Sequence, residues 1–181
     1  MQKDLLFKSV KALTLSSLLA AMSVVIGIFC KSFMNFGDGL FRISFENLPI
    51  ILSGIMFGPI VGAAVGIASD LISYLLSPQI YPINVIVTLG AGMIGAVSGL
   101  VSKYIVKKGG NLQIIVSTAA SHLVGSVIIK SIGLFDYYQW GILFRIPTYL
   151  VIVAIEAFII CMLYKSTRLH TLFEEVRKEN Q

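Results

Sequence analysis

The chain has 181 residues, of which 56% are hydrophobic and 13% charged, and a formal net charge of +5. The length fits one domain spanning 1–181, but the composition is wrong for a soluble protein of that size. The positive charge does not mark a nucleic-acid partner, because the basic residues sit between apolar runs, as topology signals do. Several runs of about 20 apolar residues meet the length needed to cross a hydrocarbon core about 30 Å thick. The chain therefore reads as an all-α polytopic membrane protein in contact with the lipid bilayer.

In chain order, a basic lead-in with Lys3 and Lys8 precedes a first helix from about Val10 to Phe29. No A-x-A-like cleavage site follows it, so it reads as a retained helix rather than a signal peptide. It carries two overlapping small-x-x-x-small pairs, Ser16/Ala20 and Ser17/Ala21. That spacing lets another helix backbone approach closely in lipid, either within the protein or from a separate membrane subunit. Residues 30–43, CKSFMNFGDGLFRI, read as a loop. A short second helix, Ser44 to Phe57, is joined through Gly58-Pro59 to a third, Ile60 to Leu76, whose first half is rich in glycine and alanine. Proline suits the first turn of the helix that follows such a turn.

The two-proline segment Ser77 to Pro82, SPQIYP, cannot be regular helix throughout. The fourth helix, Ile83 to Tyr104, carries a ridge of Gly92, Ala96 and Gly99. Lys103, Lys107 and Lys108 form a basic link that ends at Gly109-Gly110. The fifth helix runs from Leu112 to Ile132, Leu134 to Trp140 (LFDYYQW) reads as an aromatic connection, and the sixth helix runs from Leu143 to Tyr164. Residues 165–181 form a charged tail.

Six transmembrane helices place both termini on one side. The basic residues of the N-terminus, the link between helices 4 and 5, and the tail all fall there, so the positive-inside rule makes that side cytoplasmic. Cys30 and Cys161 lie near the ends of the first and last helices, on opposite faces, which argues against a disulfide between them. No Cys/His cluster has metal-ligand spacing.

Isolated ionisable groups within apolar helices are expensive in lipid and should face a protein interior or an aqueous cavity. Arg42 and Glu46, four apart, are expected on one face of helix 2, and Asp70 and Tyr74 on one face of helix 3. Helix 4 opens with Asn84 and Thr88. Helix 5 shows Thr118, His122, Ser126 and Lys130 at strict fourth spacing, and helix 6 opens with Arg145 and Tyr149. Five polar stripes of this kind point to a common outward cavity. Each also has a plainer reading. The arginines would snorkel to headgroups, Arg42 and Glu46 would pair with each other, Asp70 would bond a neighbouring helix, and the outer aromatics would form an interfacial belt. His122 reads first as a packing histidine, and Glu156 has no evident role. There is no Walker A loop, H-E-x-x-H, Cys-x-x-Cys or G-x-S-x-G, so the chain shows neither an ATP engine nor covalent catalysis. No convincing inverted repeat is evident, which argues against a self-sufficient transporter.

The hairpin FRISFENLPIILSGIMFGPIVGAAVGIASDLISYLL, the segment SPQIYPIN and FRIPTYL at Phe144 to Leu150 resemble the folate-specific substrate-binding (S) component of energy-coupling factor (ECF) vitamin importers. The likeness spans essentially the whole chain. It departs from that family on helix 1, where serine replaces the first alanine of the alanine-x-x-x-alanine docking motif. The resemblance implies a non-enzymatic subunit of a bacterial cytoplasmic membrane that captures folate outside, with the loops after helices 1, 3 and 5 as a lid. It also implies docking, through Ser16, Ser17, Ala20 and Ala21, on one transmembrane coupling subunit and two ATPase subunits, and delivery by toppling in the membrane. The folate site implied would draw on Phe41, Arg42, Glu46, Asp70, Tyr74, Tyr81, Asn84, Lys130, Tyr138, Trp140, Arg145 and Tyr149. Carboxylates or Asn84 would read the pterin edge, aromatics would stack on its face, and Arg145 and Arg42 would take the glutamate tail. No metal or cofactor is expected. An S component for pantothenate or a queuosine precursor, and an integral-membrane lipid-modifying enzyme, remain alternatives.

Overall fold

The computed structural model describes residues 10–36, 41–76, 84–106, 110–140 and 145–165. The protein is a helical bundle with one two-residue antiparallel ladder. Helix α1 spans Val10–Phe33, strands β1 and β2 span Asn35–Phe36 and Phe41–Arg42, and α2 spans Asn47–Phe57. Helix α3 is Pro59–Leu76 and α4 is Val85–Leu100, the latter continuing as a π-helical turn at Val101–Ile105. One long rod then combines α5 (Asn111–Ser121), a π-helical stretch His122–Ile129 and α6 (Lys130–Tyr138), and α7 (Arg145–Lys165) closes the bundle. Five of these rods are long and apolar enough to cross a membrane, and α2 is a shorter apolar helix. They expose large apolar side chains along their outer faces, among them Val25, Leu75, Leu89, Leu123 and Phe158. That is the pattern of a protein whose solvent is hydrocarbon.

Helix α1 runs four residues beyond the expected Phe29, which brings Cys30 and Lys31 into its last turns. A larger difference concerns Arg42, expected on helix 2 with Glu46. It lies instead in β2, paired with Asn35, and α2 starts only at Asn47. Proline explains the late start. Pro49 has no N–H to donate to the carbonyl of Phe45 and its ring crowds that carbonyl, so the helix cannot extend further back. The same device recurs at Pro147, two residues inside α7. The stretch from Leu134 to Trp140 also differs from expectation, because the rod stays helical to Tyr138. It ends where Gln139 takes a φ of +46°. Asn84 holds this extension in place: its side-chain oxygen accepts from the backbone N–H of Ile86 (2.9 Å) as the cap of α4, while its amide donates to the carbonyl of Gly133.

Helix α4 is the packing centre and touches α2, α3, α5 and α6. It can do so because its buried face is mostly glycine, alanine and serine, with Gly90, Ala91, Gly92, Gly95, Ser98 and Gly99 flanking the single large side chain of Ile94. A Cβ placed on Gly62 of α3 would stand 2.5 Å from the carbonyl oxygen of Gly95, and one on Gly99 would stand 2.5 Å from the nitrogen of Pro59. Backbone-to-backbone contact of this kind is what drives helix association where lipid and side chain are equally apolar. The core around these contacts is formed by Leu19, Ile50, Ile51, Val61, Val65, Ile94, Ile114 and Ile160. Cys30 and Cys161 form no disulfide.

Candidate functional site

Because α2 has only 11 residues, its length is about 17 Å, roughly half a hydrocarbon core. Its polar N-terminus therefore stops inside the bundle. Glu46 and Asn47 sit there, buried, and around them lie Ser23 of α1, Ser69, Asp70 and Ser73 of α3, Ala91 of α4 and Lys130 of α6. These residues enclose a recess with about 10 Å³ of open interior, the room one water takes. The ammonium of Lys130 stands 3.8 Å from Glu46 Oε1. The N-terminus of α2 adds partial positive charge beside the Glu46 carboxylate, and Ser23 Oγ donates to the Glu46 carbonyl at 2.7 Å. Thr88 Oγ1 donates to Asp70 Oδ2 at 2.8 Å, and Lys31 Nζ donates to Ser73 Oγ at 2.8 Å. Asn47 Oδ1 is buried with no hydrogen-bond partner among the described residues. The recess thus brings together two carboxylates and an amide oxygen as acceptors and an ammonium as donor.

Of the residues singled out from sequence, Glu46, Asp70 and Lys130 meet in this recess. Tyr149 is buried on α7, and Tyr74 and Tyr138 are half-buried on α3 and α6. Asn84 is engaged as cap and inter-helix tie rather than lining the recess. Trp140 lies past the end of α6, 76% exposed, with its ring edge-to-face against Phe135. Phe41 and Arg42 are placed by backbone in β2, and Arg145 at the first position of α7. Tyr81 lies outside the described residues, as do the rest of the connection 77–82 and residues 37–40 of the connection after the first helix. Ser23, Asn47, Ser69 and Ser73 were not anticipated. The only sequence signal for Ser69 and Ser73 was adjacency to Asp70 and Tyr74 on the same helix.

The two small-residue pairs of α1 part company. Ser16 is buried and Ala20 is packed against the core, its carbonyl receiving a bond from Ser69 Oγ at 3.4 Å. Ser17 and Ala21 are exposed on the outer face.

A second polar cluster lies behind the recess. His122 and Glu156 are 1% and 0% exposed. His122 Nε2 bonds Glu156 Oε2 at 2.5 Å, and His122 Nδ1 bonds Ser126 Oγ at 3.1 Å. The order serine, histidine, acid resembles a hydrolytic relay, but Ser126 is fully buried and offers a substrate no path to its hydroxyl. Among the described residues no group of three or more His, Cys, Asp or Glu side chains could hold a metal ion.

Helical rods long and apolar enough to span a membrane, four of which join α2 in bringing residues to one polar recess among the described residues, define a multi-span membrane protein. The chain belongs to the family of ECF transporter substrate-specific components, whose model matches residues 11–164. A curated relative, the "Folate transporter FolT" of Clostridium novyi (strain NT), is 30% identical over 59 residues, or 33% of this chain. The chain thus spans about a third of that relative's length, 34%. Among solved structures, "Crystal structure of FolT bound with folic acid" aligns over 83% of this chain and 90% of its own, with a TM-score of 0.65 and 22% identity. That likeness establishes the fold.

Proposed function

We propose that this protein is the folate-binding S component of an ECF importer, resident in a bacterial cytoplasmic membrane with both termini inside. The observation that carries this reading is the meeting of Glu46, Asp70 and Lys130 in one enclosed recess of a chain whose fold matches a folic-acid complex. A pterin presents an amino group and ring N–H along one edge, which carboxylates at Glu46 and Asp70 accept with charge-assisted bonds. Lys130 answers its carbonyl oxygen or the start of the anionic tail, and Arg145 and Arg42, near the ends of α7 and β2, take the tail carboxylates. Admission of the ring requires the recess to widen, because a bicycle does not fit the room of one water. Ser17 and Ala21 supply a smooth outward patch on α1 for a transmembrane coupling subunit. Two partner ATPases supply the energy, since this chain has no nucleotide motif, and delivery proceeds by toppling of the S component within the membrane.

The test is calorimetric titration of the detergent-purified chain, without partners, against folate, pantothenate and a queuosine precursor. Saturable one-to-one binding of folate alone is expected. Asp70→Asn and Lys130→Met should each weaken it about ten- to a hundredfold, the range for one charge-assisted hydrogen bond. Saturable binding of another vitamin with silence toward folate overturns the assignment, and an unchanged affinity in Arg145→Ala removes that residue from the site.

A further inference from the structure

The His122–Glu156 pair does not line the recess, yet both side chains are almost completely buried in the bundle. A buried acid paired with a buried histidine is a poor source of stability, because apolar residues of similar volume usually serve as well or better. Its position suggests a different use. His122 is the first residue of the π-helical stretch, and the backbone N–H of Lys130 closes that stretch by bonding the carbonyl of Gly125, five residues back. A π-helical run is uncommon, and such runs gather at functional sites. The run here begins at a side chain bonded to α7 and ends at the lysine that faces Glu46. Between them Gly125 packs against Gly90 and Ile94 of α4, and the Lys130 side chain crosses Gly90, where a Cβ would stand 2.7 Å from its Cγ. Glu156 also lies within electrostatic range of both Lys130 and Glu46.

We propose that His122 and Glu156 are positioning residues for the ligand site. Their bond pins the start of the π-helical stretch to α7, and the non-α register that follows aims Lys130 across Gly90 at the carboxylate of Glu46. They touch no ligand and act only through Lys130. The proposal rests on the reading of the recess as the ligand site.

The experiment compares wild type, the double variant His122→Leu/Glu156→Met, Glu156→Gln, Lys130→Met and the triple combination of the double variant with Lys130→Met. The double variant exchanges the pair for apolar groups of similar size, so its thermal midpoint should match or exceed that of wild type. Its folate affinity, measured by calorimetry, should fall about tenfold, and the triple variant should bind no more weakly than Lys130→Met alone, as expected for coupled groups. Glu156→Gln keeps a partner for His122 and should retain most of the affinity. Lys130 in the double variant should also label faster with an amine-reactive reagent, read by peptide mass spectrometry. A merely structural pair would lower the thermal midpoint and leave affinity and labelling unchanged. Wild-type affinity in the double variant, or losses that add in the triple variant, overturns the proposal. Wild type that fails to bind folate overturns the reading of the recess instead, and the labelling rate of Lys130 then decides the positioning claim by itself.

Discussion

At the scale of single residues, the recess depends as much on what is missing as on what is present. Lys130 reaches Glu46 because Gly90 leaves a channel for its methylenes. A methyl group there would press both on the Lys130 side chain and, at 3.0 Å, on the carbonyl of Gly125. Gly90→Ala should therefore cost about 1–3 kcal/mol of stability as overpacking and weaken folate binding with it, whereas Leu89→Ala on the exposed face should leave folate binding unchanged. Retained affinity in Gly90→Ala would show that the lysine finds its place by another route. That Glu46, Asp70 and Lys130 come together in one recess was legible in the sequence, because ionisable groups in apolar surroundings must converge on something. The serines that complete it were not. A serine is small enough to pack anywhere in a helix and can return its hydroxyl to its own backbone, as Ser53 does to Ile50 and Ser98 to Gly95. Asn84, expected among the ligand contacts, caps α4 and bonds Gly133, and a polar residue just before an apolar run is as well suited to that role.

At the scale of elements, the number and order of the rods followed from hydropathy, and the differences arose where one local rule outweighed periodicity. Arg42 and Glu46 have helical spacing, but Pro49 forbids a helix at Arg42, so the i, i+4 relation between them never forms. The aromatic run after Ile132 looked like an interfacial connection, yet the tie from Asn84 to Gly133 and the close fit of Gly133 on Ile86 and Val87 keep it helical. Helix α1 shows how one motif can contain two roles. Its Ser16 is buried and its Ala20 carbonyl accepts from Ser69 of α3, while Ser17 and Ala21 are exposed on the outer face and are the pair we propose for docking. Ala21→Trp should leave folate affinity of the isolated subunit within about twofold, as distant surface changes do, and abolish uptake in cells carrying the coupling module. Normal uptake by this variant would move the docking surface elsewhere, and loss of binding by the isolated subunit would make the outer face of α1 part of the internal packing.

At the scale of the whole molecule, the rods are unequal. The combined rod from Asn111 to Tyr138 has 28 residues, up to about 42 Å at the α-helical rise, and so exceeds a core about 30 Å thick, whereas α2 is little more than half that thickness. Such a body cannot match a flat slab on all sides. Mismatch of either sign is met by tilting, by snorkelling of flanking residues or by deformation of the bilayer, at a cost that rises with each ångström. On the toppling we propose, the subunit exchanges one fit to the membrane for another, so the thickness of the host bilayer weights the two orientations. Transport by the reconstituted importer should then vary with acyl-chain length and pass through an optimum, while folate affinity of the detergent-solubilised subunit stays constant. A rate indifferent to chain length would mean that the tilt does not change. The short helix that creates a polar recess inside the bundle would, on this account, also tune the subunit to the thickness of its own membrane.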